Sequence, residues 1–437
     1  MSNTTDLKEG EIKPDENKNH PQKSWLKKLG PGLITGAADD DPSGIATYSQ
    51  AGAQFGYAML WTLMLTYPLM VGIQIISAKI GRVSGHGLAT NIRRHYPKWL
   101  LYIIVSSLLV ANTINIGADI AAMAGALNLL VKGPIHMYVV GFGFVSLLLQ
   151  IFIPYKRYVR ILKWLTLALL AYVATIFIIH TPWKLVVINT FWPHLSWTPA
   201  YVTTVVAIFG TTISPYLFFW QASQEVEEQH ADQQAEALKH APEQADMNFR
   251  RIKIDTFIGM AVSNVVAFAI ILTTAVTLHA HGVTEIHTSA QAATALRPIA
   301  GDFAFWLFSA GIIGTGMLAI PVLAGSGAYA AAGAFKFRNS LELKFTFAKE
   351  FYGIIAISTL IGIGICFMPI DPIKALYWSA VINGVISVPI MVVMMLMASR
   401  QEIMGKFVIS PRLSWLGWIC TAVMAVAVAA MFATLGK

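Results

Sequence analysis

This sequence predicts an all-α membrane protein. Eleven transmembrane helices form two five-helix inverted repeats with broken first and sixth helices, plus one extra helix. Three observations carry that reading. Of the 437 residues, 56% are hydrophobic and only 12% charged, against about 25% charged in a soluble chain. Uncharged runs of ~20 residues recur, the length at which a helix crosses a bilayer. Finally, 26 of the 31 Lys and Arg fall in alternate connections, leaving Lys132, Lys184, Arg297, Lys374 and Lys437 on the other side. That bias puts the basic loops, and the N-terminus, in the cytosol.

In chain order, residues 1–28 are polar and charged and read as a disordered cytosolic tail without a secretory signal. Residues 29–436 form one transmembrane domain. Spans are expected at 29–53, 57–79, 99–130, 135–154, 158–180, 199–224, 252–280, 302–333, 350–369, 371–398 and 412–436. The first contains Gly36-Ala37-Ala38-Asp39-Asp40-Asp41-Pro42-Ser43-Gly44, and the sixth contains Gly210-Thr211-Thr212-Ile213-Ser214-Pro215-Tyr216. Proline removes a helical hydrogen bond, so each of these spans must open and free backbone groups. Spans one to five (about 29–180) and six to ten (about 199–398) make the two blocks. An odd number of crossings turns the second block upside down, so the two breaks meet near the bilayer midplane, where such folds bind their substrate. The eleventh span leaves the C-terminus outside. Trp183, Trp192 and Trp197 read as outer interfacial anchors. Glu225, Glu227, Glu228 and Glu236 are expected to carry the sixth helix into solvent. His279, His281 and His287 fall in an outer loop read as having no ligand role. Cys366 and Cys420 lie in apolar runs and read as buried structural thiols. The +8 net charge is accounted for by orientation in the membrane and does not require nucleic acid.

Three consecutive acids inside an apolar span are costly and mark function. Helical neighbours sit ~100° apart, so only one of the three faces the ion. Asp41 abuts the break and is the expected direct ligand, with Asp40 and Asp39 as second choices. On the other half, Thr211, Thr212 and Ser214 supply hydroxyls, with a carbonyl near Thr211 as backbone ligand. Such hydroxyls also join membrane helices to one another, but their place in a break favours the ion. Asp119, the single acid of span three, lines the ion path, pairs with a neighbour or relays protons. Asn383 in span ten is a candidate to complete the shell, and Tyr216 and Gln221 to hold hydration waters. No methionine falls in either break, and Met317 reads as packing. Carboxylate, hydroxyl, carbonyl and water suit hard ions. Mg²⁺ in particular keeps several waters and few protein ligands.

These motifs resemble those of the NRAMP family of divalent-metal transporters. Gly30-Pro31-Gly32 and Asp41-Pro42-Ser43-Gly44 are similar to the family's G-P-G and D-P-G-N signatures, and Ala126-Leu127-Asn128-Leu129-Leu130 follows its pattern in span three. The resemblance runs from about residue 29 to 436. It implies the inverted-repeat fold, divalent-metal transport and metal contact by Asp41. The departures are specific. Gly44 stands where the family has an asparagine ligand. Ser214 stands where its A-x-x-M-P-H motif has methionine, and Tyr216 where that motif has histidine. Gln221 replaces a second histidine, and the family's acid pair in span three keeps only Asp119. This pattern is similar to the NRAMP-related magnesium transporters, which implies an enlarged hydrophilic site without proton coupling.

The expected function is therefore import of Mg²⁺, with Mn²⁺ also carried, across a cell inner membrane by alternating access. The rivals are a proton-coupled Mn²⁺/Fe²⁺ transporter and a sodium-coupled organic-solute symporter. A sensing receptor lacks an output domain in this sequence, and no nucleophile–base arrangement or cofactor motif points to an enzyme. No cofactor, nucleic acid or obligate protein partner is expected. The bilayer and the transported ion are the expected partners.

Overall fold

The structure, a computed structural model, describes residues 35–36, 38–153, 167–231, 235–341, 343–369 and 371–436. The N-terminal tail, the Gly30-Pro31-Gly32 motif and the first part of span five lie outside the described residues. Within them every regular element is helical.

The second half of span one is α1 (Pro42–Phe55). A tight turn at Gly56, whose φ of 57° favours glycine, leads into α2 (Leu60–Ser84). Then come α3 (Lys98–Leu130), α4 (Ile135–Phe152), α5 (Leu170–Ile178) and α6 (Trp183–Phe191). Span six is split into α7 (Pro199–Thr212) and α8 (Pro215–Ala231). The rest are α9 (Ala245–Thr277), α10 (Ala304–Phe335), α11 (Lys349–Ile365), α12 (Pro372–Ala398) and α13 (Pro411–Leu435). Each of the eleven expected segments thus meets a helix. Eight helical stretches are long and apolar enough to cross a membrane, nine if the bent pair at α5 and α6 is one span. The lower number arises because Pro42–Ser84 holds two expected spans and α11 has only 17 residues.

Helices also fall in expected connections, at Leu88–His95, at Ser289–Thr294 and at α6. α6 lies in what the sequence presents as an outer loop, bent 117° from the helix before it. Its exposed side carries Trp183, Leu185, Val187, Ile188 and Phe191, while Val186 and Thr190 are buried against the protein. A short helix with an apolar outward face suits the interface plane of a bilayer.

Two helix groups make the core. α1, α2, α8 and α9 pack together, and α3, α4, α10 and α11 form the second group. α12 bridges them through α7, α1 and α3, while α13 packs on the outside of α12, α7 and α2. Small residues allow the closest crossing. A Cβ added to Gly210 would lie 2.0 Å from the Ala380 carbonyl and 2.5 Å from the Gly384 amide. Membrane helices use such small-residue contacts in place of a hydrophobic driving force. Gly210→Ala is accordingly expected to force α7 away from α12, costing about 1–3 kcal/mol as an overpacked core does. A lower melting temperature of the detergent-solubilised variant would register this, and unchanged melting would show that the crossing can relax.

The basic connections converge on one end. Arg400 Nη1 donates to the His95 carbonyl at 3.1 Å, Lys239 N to the Val83 carbonyl at 3.1 Å and Leu238 N to the Arg82 carbonyl at 3.2 Å. At the opposite end, Trp61 Nε1 donates to the Tyr201 hydroxyl at 3.0 Å and Ile286 N to Gln50 Oε1 at 2.9 Å. His279, His281 and His287 stand at this end and form no metal-binding group among the described residues. Cys420 is buried and Cys366 half-buried, both as free thiols.

The acidic stretch after span six departs from expectation. α8 does continue to Ala231, but Glu225 is fully buried instead of solvated, with Oε2 2.5 Å from Arg251 Nη2 on α9. Arg251 Nη1 also reaches Glu228 at 2.8 Å and Asp255 at 3.5 Å. Glu227 accepts from the Tyr329 hydroxyl and, at 2.9 Å, from Leu341 N. Glu236 alone is exposed as the sequence suggests.

Candidate metal-ion site

Asp41 is the N-cap of α1, with Pro42 at its first helical position, an arrangement that opens the chain before the helix starts. Its Oδ1 accepts from Gly44 N and from Ser43 Oγ, each at 2.7 Å. Oδ2 accepts from Asn115 Nδ2 of α3 at 3.0 Å, and Asn115 Oδ1 in turn accepts from Ser379 Oγ of α12 at 2.7 Å. Asp39 Oδ2 and Asp40 Oδ1 share the hydroxyl of Ser263 on α9, at 2.5 and 3.0 Å. The three carboxylates therefore diverge, Asp41 toward α3 and the other two toward α9.

The second break faces the first. α7 ends at Thr212, Ile213 leaves helical geometry (φ −117°, ψ 58°), and Pro215 starts α8. Gly44 packs against Thr211, whose Oγ1 would lie 3.1 Å from a Cβ on that glycine. A side chain at Gly44 would therefore enter the space beside Thr211. Ser214 Oγ donates to the Gly210 and Thr211 carbonyls, both at 2.8 Å, so the carbonyl expected to serve as backbone ligand already carries one hydrogen bond. Its second lone pair remains available, as do both lone pairs of the Ser214 oxygen. Thr212 Oγ1 is engaged within its own helix, with the Ile208 carbonyl at 2.9 Å.

Tyr216 and Gln221, the candidates to hold hydration waters, also join the two broken spans. Tyr216 donates to the Ala38 carbonyl at 3.1 Å, and Gln221 Oε1 accepts from Thr35 Oγ1 at 2.5 Å. Asn383 lies on α12 beside the Gly384–Gly210 crossing, with Oδ1 unpaired among the described residues. Asp119 is completely buried within electrostatic reach of Asp41, and neither of its oxygens has a hydrogen-bond partner among the described residues.

All of these side chains are 6% exposed or less. No lysine or arginine among the described residues pairs with Asp39, Asp40, Asp41 or Asp119. Buried carboxylates without a cationic partner are expensive in a low-dielectric interior. A cation lodged between the breaks would offset that cost. Met123 packs where Gly316 has no side chain, next to Pro42. Met317 is buried in α10. Asn115, Ser379 and Ser263 were not singled out in the sequence. The one signal available was that Asn115 precedes Asp119 by one helical turn and so shares its face.

Two broken helices facing each other across the centre of a helical membrane domain define a transporter, not an enzyme. Solved structures share the fold. A manganese transporter of Eremococcus coleocola matches with a TM-score of 0.72 at 18% identity, covering 95% of this chain and 89% of that one. MhsT in complex with L-phenylalanine matches with a TM-score of 0.58 at 11% identity, over 92% and 98% of the two chains. Mhp1, a nucleobase-cation-symport-1 family transporter, matches with a TM-score of 0.55 at 12% identity, over 93% and 92%. In sequence, the divalent metal cation transporter MntH of Caldanaerobacter subterraneus subsp. tengcongensis is 25% identical over 394 residues, 89% of this chain and 88% of the relative. The family model described as natural resistance-associated macrophage protein-like matches residues 32–434. The chain belongs to the Nramp family.

Proposed function

We propose that this chain imports divalent metal ions, Mg²⁺ with Mn²⁺ also carried, as partly hydrated ions by alternating access and without proton coupling. Asp41 contacts the ion, and Thr211, Ser214, Asn383 and freed carbonyls complete the shell. Gly44 leaves room for a water where a side chain would otherwise reach in. Asp40 and Asp39 hold the broken segment on α9 through Ser263, and Asp119 lines the path. The observation that carries this reading is the oxygen and amide lining of the two facing breaks around carboxylates with no cationic partner among the described residues. Hard ligands of this kind favour hard ions.

Voltage alone is a sufficient drive. A divalent ion moving inward through 100 mV gains about 4.6 kcal/mol, twice the ~2.3 per elementary charge. At ~1.4 kcal/mol per decade that supports roughly a 2000-fold gradient. Tyrosine and glutamine at 216 and 221 offer no group that titrates near neutrality, tyrosine's ordinary pKa being ~10. The end of the molecule where α2, α8 and α12 finish and the basic connections gather faces the cytosol of an inner membrane in this reading, with the C-terminus outside.

The second reading is a proton-coupled manganese transporter. It draws on the names of the relatives above and on the buried Asp119. Proteoliposomes loaded with a pH-sensitive dye separate the two. We expect excess Mg²⁺ to compete with Mn²⁺ uptake, an inside-negative potential to drive it, and the lumen to hold its pH. Lumenal acidification in step with Mn²⁺ entry, together with indifference to excess Mg²⁺, would establish the second reading instead.

A further inference from the structure

We propose that Asn115 and Ser379 are positioning residues that aim the Asp41 carboxylate at the transported ion. The proposal rests on the reading of Asp41 as ion ligand and adds to it a relay across three helices. A carboxylate can only accept hydrogen bonds, so Asn115 must turn its NH₂ toward Asp41 Oδ2, 3.0 Å away. That choice sends the amide carbonyl toward α12, where Ser379 Oγ lies 2.7 Å off and must donate. The Ser379 proton has one alternative, the Leu376 carbonyl of its own helix, also at 2.7 Å. Turning the Asn115 amide over would set its oxygen against Asp41 Oδ2, acceptor against acceptor. The polarity of the whole chain is therefore dictated from its carboxylate end. Both relay residues are buried, Asn115 fully and Ser379 to within 1%.

The consequence is orientation. The donors Gly44 N and Ser43 Oγ hold Oδ1 from within α1, and Asn115 holds Oδ2 from α3. Together they fix the carboxylate plane and leave one lone pair, on Oδ2, free for the ion. Without Asn115 the group pivots about Oδ1. Mg²⁺ tolerates little departure from octahedral geometry, so loss of aim appears as loss of affinity. The relay also joins three separate elements, α1, α3 and α12, so the fit of the ion depends on their mutual placement.

The test is calorimetric binding and proteoliposome uptake of whichever of Mg²⁺ and Mn²⁺ the wild type carries. Asn115→Ala should raise Kd and KM about 10-fold or more, as expected for a hydrogen bond to a charged group, with the maximal rate little changed. Ser379→Ala should give a smaller rise, Ser379→Thr should behave as wild type, and Ser379→Ala should add nothing in the Asn115→Ala background. Wild-type affinity in Asn115→Ala, or single effects that simply multiply, would overturn the relay. If Asn115→Ala does not fold, the contrast between Ser379→Ala and Ser379→Thr decides, and equal affinities in that pair would overturn it. Undiminished binding in Asp41→Ala would be a different failure, that of the underlying ligand reading, and is scored separately in the same assay.

Discussion

Replacing Asp41 is expected to abolish divalent-ion uptake, by a factor of at least about 100, or ~2.8 kcal/mol at ~1.4 kcal/mol per decade. The side chain does two things that a single alanine variant would confuse. Its Oδ1 caps α1 through Gly44 N, a contribution typically worth ~0.5–2 kcal/mol to the helix. Its charge, buried with no lysine or arginine beside it among the described residues, is what a cation would bind. Asp41→Ser separates the two. A serine hydroxyl accepts from the helix amide as well as a carboxylate does, but brings no charge to the break. Asp41→Ala loses both functions, and in either variant the Asn115 NH₂ loses its Oδ2 acceptor. We therefore expect both variants to lose uptake, and Asp41→Ser to melt above Asp41→Ala in detergent. Uptake in Asp41→Ser equal to wild type would remove Asp41 from the ion's shell.

The two breaks were legible in sequence because proline and glycine interrupt a helix by local stereochemistry, whatever packs around them. Asp41, Pro42, Ser214 and Pro215 could therefore be placed from their neighbours alone. The partners of the acids could not. Asn115 is 74 residues from Asp41, Ser379 is 264 from Asn115, and Ser263 is 224 from Asp39. Each lies in a largely apolar helix, Asn115 near Asn112 and Thr113 and Ser263 beside Asn264, where serine and asparagine serve equally as helix–helix contacts. Only the fold brings them to the break. The same limit explains Glu225. An acid in a polar, helix-prone stretch reads as solvated, and its burial became visible only when α9 brought Arg251 against it. α6 was missed for a related reason. Its helix is held by the surface it lies on, and nine residues without a strong cap carry little helical signal of their own.

That buried charge cluster carries the last large effect. Arg251→Ala should destabilise the protein by about 3–5 kcal/mol, the range seen when one partner of a buried pair is removed. Glu225 is the reason. It has no exposed side-chain surface and lies nearest, at 2.5 Å; Asp255, 3% exposed, is farther off at 3.5 Å and has a further interaction of its own, while Glu228, 41% exposed, can turn to water once its partner is gone. The penalty is mostly that of leaving the Glu225 carboxylate with Arg82 alone within electrostatic reach, because a well-packed apolar replacement of the whole pair is often neutral or better. Arg251→Met combined with Glu225→Met should therefore melt close to wild type, while Arg251→Met alone should not. The cluster also fastens α8 to α9 at the basic end of the molecule, below the second break. Single variants are thus expected to loosen the α8 half of span six, which faster thiol labelling of Ser223→Cys would register. Equal melting of Arg251→Met and the double variant would show that Glu225 finds another partner on its own, and that the pair does not hold the two helices together.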